Sequence, residues 1–213
     1  MPDVHGSFAR LRAATLEGVD YRVELRRTGS AVAHIAVHGG GIEPGTAEAA
    51  LAAAELNGQS SYSFVALRPR RNSALHITST RFDEPECVAL QQSCRRTVSY
   101  HGCAGTEPVI RLGGGDREAG GLIGRALQTA GFAVDWNPAQ ELSGSAARNI
   151  CNRNLGGAGV QLELSAALRR LFFPGADTSR AMRESGRRTS VFARFVEAVA
   201  TASALFETAA FRD

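Results

Sequence analysis

The stretch VAHIAVHGGGIEPGTAEAA, Val32 to Ala50, decides the fold. It begins as a continuous apolar run, the pattern of a strand buried on both faces of a sheet. The run ends on His38, three glycines follow, and Glu43 stands just before Pro44-Gly45-Thr46. The next segment, TAEAALAAAELNG, has the composition of a helix, with Thr46 as its N-cap and Gly58 as its stop. Strand, glycine hinge and helix make one β/α unit. In open sheets built of such units, ligands bind beyond the carboxyl ends of the strands. His38 and Glu43 lie at such an end. Glycines at 39–41 let the backbone turn back so that both side chains can face one point.

The same grammar continues on either side. YRVELRR precedes this unit as a strand, and SSYSFVALRP and ALHITST follow it as two more. DEPECVALQQSCRR reads as a helix with Asp83 as cap, Pro85 in the first turn and arginines in the last. TVSYHGC is a strand that again ends in His-Gly, and PVIRLGGG is another. A helix then runs from Asp116 through DREAGGLIGRALQTAGF. GVQLELS is a late strand, followed by helices in AALRRLFF and in VFARFVEAVATASALFETAAF, the last over about 187–211. Residues 136–157 form a long irregular segment, of a length often reserved for function. With no linker, repeat or low-complexity run, the alternation predicts a single α/β domain over 1–213. Its expected form is three αβα layers around a mainly parallel mixed sheet.

Composition limits the function classes. The 213 residues are 44% hydrophobic, enough for a sizeable core. All 24 basic residues are arginine, a bias that a GC-rich genome explains and that also suits the gripping of carboxylates or phosphates. A net charge of +3, with no basic aromatic-lined stripe, argues against nucleic acid. No apolar run of about 18 residues predicts a membrane helix, and the first residues carry no signal-peptide pattern. The expected setting is therefore cytoplasmic, with release by lysis as the route outward. Cys87, Cys94, Cys103 and Cys151 form no CxxC pair, so a zinc ribbon is not expected.

Three strand ends then present polar groups: His38 with Glu43, His101 in VSYHGC, and Glu163 in GVQLELS. Two imidazoles and a carboxylate make an open zinc site with room for water, and a further carboxylate can carry that water's proton. The helical HExxH motif is absent. The plainer alternative is a glycine-rich turn with a satisfied histidine and a solvated glutamate. Glu163 leans toward function, because a carboxylate in an apolar strand must be paired or protonated. His76 either lines the cleft or is a hydrogen-bonded sheet residue. Asp83 either caps a helix or orients a metal histidine from behind. Cys103 or Cys151 as a nucleophile, with His101 as base, explains fewer residues.

HGGGIEPGTAE, LHITSTRFDEPE, SYHGCAG and NICNRNLGGAGVQLELS, in this order over about residues 20–173, resemble the poly-γ-glutamate hydrolase family. These are phage-type depolymerases, also filed as phage-related replication proteins, with a zinc carboxypeptidase-like fold. The resemblance implies a zinc-dependent amidase that cleaves γ-glutamyl bonds by metal-activated water. It implies one Zn²⁺ held by His38, Glu43 and His101, with Glu163 as general acid/base. The substrate it implies is an acidic γ-glutamyl polymer or peptide. Arg153, Arg148, Arg111 and His76 are the candidates for holding its carboxylates. The expected state is a monomer with neither nucleic-acid nor membrane partner. Tyr100 before the ligand histidine, and Asn154-Leu155 before the glycines, are small departures that bear on substrate fit. The alternatives are a zinc amidase of the same fold with another peptide substrate, a phage replication accessory protein, and a metal-free binder of acidic polymers.

Overall fold

The computed structural model describes residues 3–209. Residues 210–211, included in the expected last helix, lie outside the described residues. Seven strands share one sheet: β1 Tyr21–Arg26, β2 Val32–Gly40, β3 Ser60–Ala66, β4 Arg96–Cys103, β5 Val109–Gly114, β6 Ala133–Asp135 and β7 Val160–Ser165. Their spatial order is β1-β3-β2-β4-β7-β5-β6. β2 runs parallel to both β3 and β4, β4 parallel to β7, and β5 parallel to β6, while β1 against β3 and β5 against β7 are antiparallel. The expected mainly parallel mixed sheet is thus present. The apolar run of β2 lies inside it between β3 and β4, with every residue buried.

Two apolar layers cover the two faces. On one, α2 Thr46–Leu56, α4 Arg117–Thr129, α5 Ala166–Leu171 and α7 Ser190–Ala209 pack around Phe172, Phe195 and Val199. On the other, α1 Phe8–Ala13 and α3 Pro85–Gln91 gather with Tyr62, Phe64 and Phe82. A short α6, Arg180–Glu184, precedes α7.

Several local expectations need correction. ALHITST forms no strand. A 3-10 turn at Asn72–Leu75 occupies its start, because the alternation of Leu75, His76 and Ile77 serves a loop that buries every second side chain. The α2 cap is Gly45 at φ 100°, with Thr46 as first helical residue, and its hydroxyl donates to the Glu43 carbonyl at 2.8 Å. α3 is capped by Glu84, whose carboxylate accepts from the Cys87 amide at 2.8 Å, and it stops before the arginines at 95 and 96. Asp83 instead accepts the Phe8 amide, at 2.6 Å, at the first residue of α1. β6, α1 and α6 are too short to leave a periodic trace. The irregular segment 136–157 is pinned rather than loose. Asn152 accepts from the Gly115 and Gly159 amides at 3.1 and 2.9 Å and donates to the carbonyls of Gly144 and Ala146.

Inside the sheet, His34 is fully buried between Tyr100 and Gln59, each 2.7 Å from one ring nitrogen. Burial pulls its pKa from 6.5 down to about 4, against the opposing bond to Gln59. Between those values the unfolded chain binds a proton that the folded chain refuses. Stability therefore falls as pH drops from 6.5 toward 4, by up to about 3 kcal/mol from this residue. Denaturant titrations of wild type and His34→Gln at pH 4 and pH 7 measure this. The variant is expected to be weaker at neutral pH and to show a flatter acid slope; equal slopes would count against it.

Candidate metal centre and cleft

The parallel run β2, β4, β7 brings three carboxyl ends to one edge of the sheet, at the floor of a cleft of about 830 Å³. The β2 end is built by its glycines. The register with β3 shifts between Ala36 and Gly39, and Gly40 takes φ 68° against the Ala66 backbone, where any Cβ would collide. The Glu43 amide then donates back to the His38 carbonyl at 2.9 Å. That closed turn sets the Glu43 carboxylate 3.3 Å from His38 Nδ1.

His101 arrives from β4. Its Nδ1 lies 3.2 Å from His38 Nδ1 and 3.8 Å from Glu43 Oε2. A tetrahedral zinc ion with bonds of about 2.0–2.1 Å spaces its ligand atoms about 3.3 Å apart, close to the separation of the two Nδ1 atoms and of each from its nearer Glu43 oxygen, Oε1 for His38 and Oε2 for His101. The chemistry of the donors agrees. His38 Nε2 faces the Ile77 carbonyl at 2.8 Å and must carry a proton, which leaves Nδ1 as the free lone pair. His101 Nε2 lies 3.0 Å from the Ser99 hydroxyl, and when the ring donates there Nδ1 is left as its lone pair. Two ring nitrogens and a carboxylate gathered this closely hold a shared proton or a metal cation between them, and the residues fit a zinc ion on that ground.

The electrostatics point the same way. Burial opposes a charge on His38, but the Glu43 carboxylate more than offsets it and raises its pKa. Burial would likewise raise Glu43, but the His38 charge and bond carry it below the ordinary carboxylate range. Burial pulls His101 down to about 3, with Glu43 opposing and His38 and His76 adding to the shift, so its ring stays neutral and able to ligate. Glu163 lies in register with His101 across β4 and β7 and is 6% exposed. Burial, then the Glu43 charge, push its pKa up to about 8, against His38 and a 3.0 Å bond from Gln161. A carboxyl group balanced near neutrality can both take and return a proton.

His76 also lines the cleft, stacked on His38 at 4.0 Å between ring centroids. It offers a second way to complete a ligand set, since atoms of His38, Glu43 and His76 all lie within 4.8 Å of one another. Its Nδ1 is held by Asp3 at 2.8 Å, and Asp3 also accepts from the Thr78 amide and from Arg81. Asp3 is thus the carboxylate behind a cleft histidine, the place for which Asp83 was a candidate. Nothing in the sequence pattern marks it.

The three predicted substrate arginines do not line the cleft. Arg111 faces Glu163 in register, but its guanidinium turns to Cys103 Sγ at 3.0 Å and Asp135 at 3.8 Å. Arg153 donates to the Phe82 carbonyl at 2.9 Å. Arg148 is exposed on the loop. The cysteine alternative finds no Cys–His hydrogen bond among the described residues: burial pushes Cys151 up to about 12, and His101 is bonded to Ser99 instead.

One arginine escapes the sequence reading. Arg169, in AALRRLFF, looks like a surface residue of a short helix but is buried beneath the site. It donates to the carbonyls of Leu164, Pro44 and Cys103 at 3.1, 3.0 and 3.4 Å. Leu164 and Pro44 directly follow Glu163 and Glu43, and Cys103 lies two residues beyond His101. One guanidinium therefore ties together the three chain segments that carry the site. Gly102 makes room for it, since a Cβ there would fall 2.7 Å from the guanidinium carbon.

The poly-gamma-glutamate hydrolase family model matches residues 5–198. A solved bacteriophage poly-gamma-glutamate hydrolase superposes with a TM-score of 0.93 at 36% identity, covering 98% of this chain and 100% of that one. YndL in its apo, zinc-free state gives a TM-score of 0.86 at 34% identity, over 97% and 99% of the two chains. The UPF0714 protein YndL of Bacillus subtilis (strain 168) is 39% identical over 173 residues, which are 80% of this chain and 67% of that protein. Among the described residues no helix is long and apolar enough to cross a membrane.

Proposed function

This chain belongs to the poly-γ-glutamate hydrolase family and is a hydrolase of that polymer, and we propose that it works with one zinc ion held by His38, Glu43 and His101 and with Glu163 as proton carrier. The observation that carries the proposal is the meeting of two Nδ1 atoms, 3.2 Å apart, with the Glu43 carboxylate, whose Oε1 and Oε2 lie 3.3 and 3.8 Å from them, one strand away from a buried carboxyl group. Bound there, zinc supplies Lewis-acid polarisation of a carbonyl and a more acidic water. The chain does the rest. Glu163 takes a proton from the water that attacks the γ-amide carbonyl, and returns it to the leaving α-nitrogen as the C–N bond breaks. Arg169 keeps the segments bearing Glu43, His101 and Glu163 in a fixed relation. The Thr80 hydroxyl lines the cleft as a hydrogen-bond donor for the substrate, whereas Thr78, Ser143 and Asn149 in the same lining donate to Asp3, the Gln140 carbonyl and Gln161.

Elemental analysis of the purified protein, paired with digestion of γ-linked and α-linked polyglutamate, tests this reading. About one zinc per chain and cleavage confined to the γ-linked polymer are expected. A folded protein that takes up no zinc when supplied would remove the proposed centre. Cleavage of the α-linked polymer alone would remove the assigned bond.

A further inference from the structure

We propose that a second cavity, on the far side of the wall formed by Ser143 and Ser145, is a further subsite for the acidic polymer, in which Arg117 takes one of its free carboxylates. The inference rests on the reading of the cleft as the place of γ-glutamyl hydrolysis, and extends it along the substrate.

A γ-linked glutamate chain carries one free carboxylate on every residue. The cleft lining holds no arginine, two of its three histidines are the proposed zinc ligands, and Glu141 adds a negative charge. An anionic polymer needs cations within reach, and guanidinium groups are the strongest partners for carboxylates. The adjoining cavity supplies one in Arg117. A cavity of about 410 Å³ shares Ser143 and Ser145 with the cleft and is lined by the end of β5, the first turn of α4 and Trp136. Arg117 is exposed there and has no hydrogen-bond or ion-pair partner among the described residues. The carboxylate beside it, Asp116, is already engaged, by Arg96 at 2.7 Å and by the Ala119 amide at 2.9 Å. It therefore opposes an incoming anion weakly.

The opposite wall suits the rest of the chain. Trp136 is 45% exposed and lies across α4 at Gly124, where a Cβ would strike the indole ring. The ring is seated by the sequence and leaves an apolar surface for the substrate's methylenes. Gly121, on the same helix, keeps the cavity open.

Two variants test the subsite. Arg117→Ala removes the cation. Gly121→Gln fills the space, at a helical position where a Cβ meets only the flexible end of Arg125. For each, kcat/KM is measured on long poly-γ-glutamate and on a short γ-glutamyl oligomer with no residues to spare beyond the cleft. Binding of the long polymer is measured in a Glu163→Gln background at low and high salt. In both variants the long-to-short ratio is expected to fall about tenfold, the scale of one charge-assisted hydrogen bond, with matching loss of binding. An unaltered ratio in both overturns the subsite. A fall in Arg117→Ala alone, abolished by salt, reduces the effect to long-range attraction and also overturns it. Failure of the wild type to cut either substrate is a different result, and removes the reading of the cleft itself.

Discussion

Glu163→Gln is expected to lower kcat by about 10²–10⁴-fold while zinc content and fold persist. The replacement keeps shape and keeps an oxygen to accept from Gln161 Nε2, 3.0 Å away in the wild type, but an amide cannot take the water's proton. A second signature separates the loss of a proton carrier from general damage. The folded-state pKa of Glu163 is raised to about 8 from an ordinary 4.5. Between those values the folded protein binds a proton that the unfolded chain releases, so its contribution to stability is full below 4.5 and is lost as pH rises toward 8. Zinc-free Glu163→Gln is therefore expected to gain on the wild type by a few kcal/mol, at most about 4, between pH 5 and pH 8. A cation beside Glu43 cancels part of the charge that raises Glu163, so zinc narrows the gap. Steady-state kinetics and paired denaturation curves at the two pH values read both effects. Turnover near the wild-type level would end the assignment of Glu163 as proton carrier, whatever the stability curves showed.

What the sequence makes legible follows from how local each determinant is. The buried β2 run, the His-Gly ends of β2 and β4 and the lone carboxylate of β7 each state their place within a few residues, and the parallel sheet brings them together. The lost parts depend on distant partners. ALHITST alternates like a strand, but it follows on from a 3-10 turn as a loop whose alternate side chains are buried. Asp83 precedes a helix yet serves the amide of Phe8, 75 positions away. Asp3 reaches His76 across 73 positions. Arg169 sits in a helix six residues long, where no periodicity distinguishes a buried face from an exposed one. Its role is set by three carbonyls that meet only in the folded chain. Proximity in sequence to a site residue likewise does not fix where a long side chain turns, and Arg111 and Arg153 both turn to partners outside the cleft.

His101→Ala is expected to abolish stoichiometric zinc binding, weakening affinity by more than the roughly 10–100-fold that loss of a partner behind a ligand costs. The backbone pairing of β4 does not use this side chain, so the variant should fold, with Ser99 losing one partner. Zinc raises the stability of any protein that holds it only when folded. Added zinc should therefore lift the melting temperature of wild type and leave that of His101→Ala unmoved. His76→Ala is the necessary companion, because His76 shares the neighbourhood of His38 and Glu43 and has a carboxylate behind it, as metal-bound histidines often do. The geometry favours His101. Its free Nδ1 faces the His38 lone pair at 3.2 Å, whereas His76 lies ring on ring against His38 with 30° between their planes. His76→Ala is accordingly expected to keep zinc and to lose affinity for substrate. The reverse pattern, zinc retained in His101→Ala and lost in His76→Ala, would move the third ligand to His76. Asp3 would then become the group that orients it, and His101 would be left as a neutral buried histidine free to contact the substrate carbonyl.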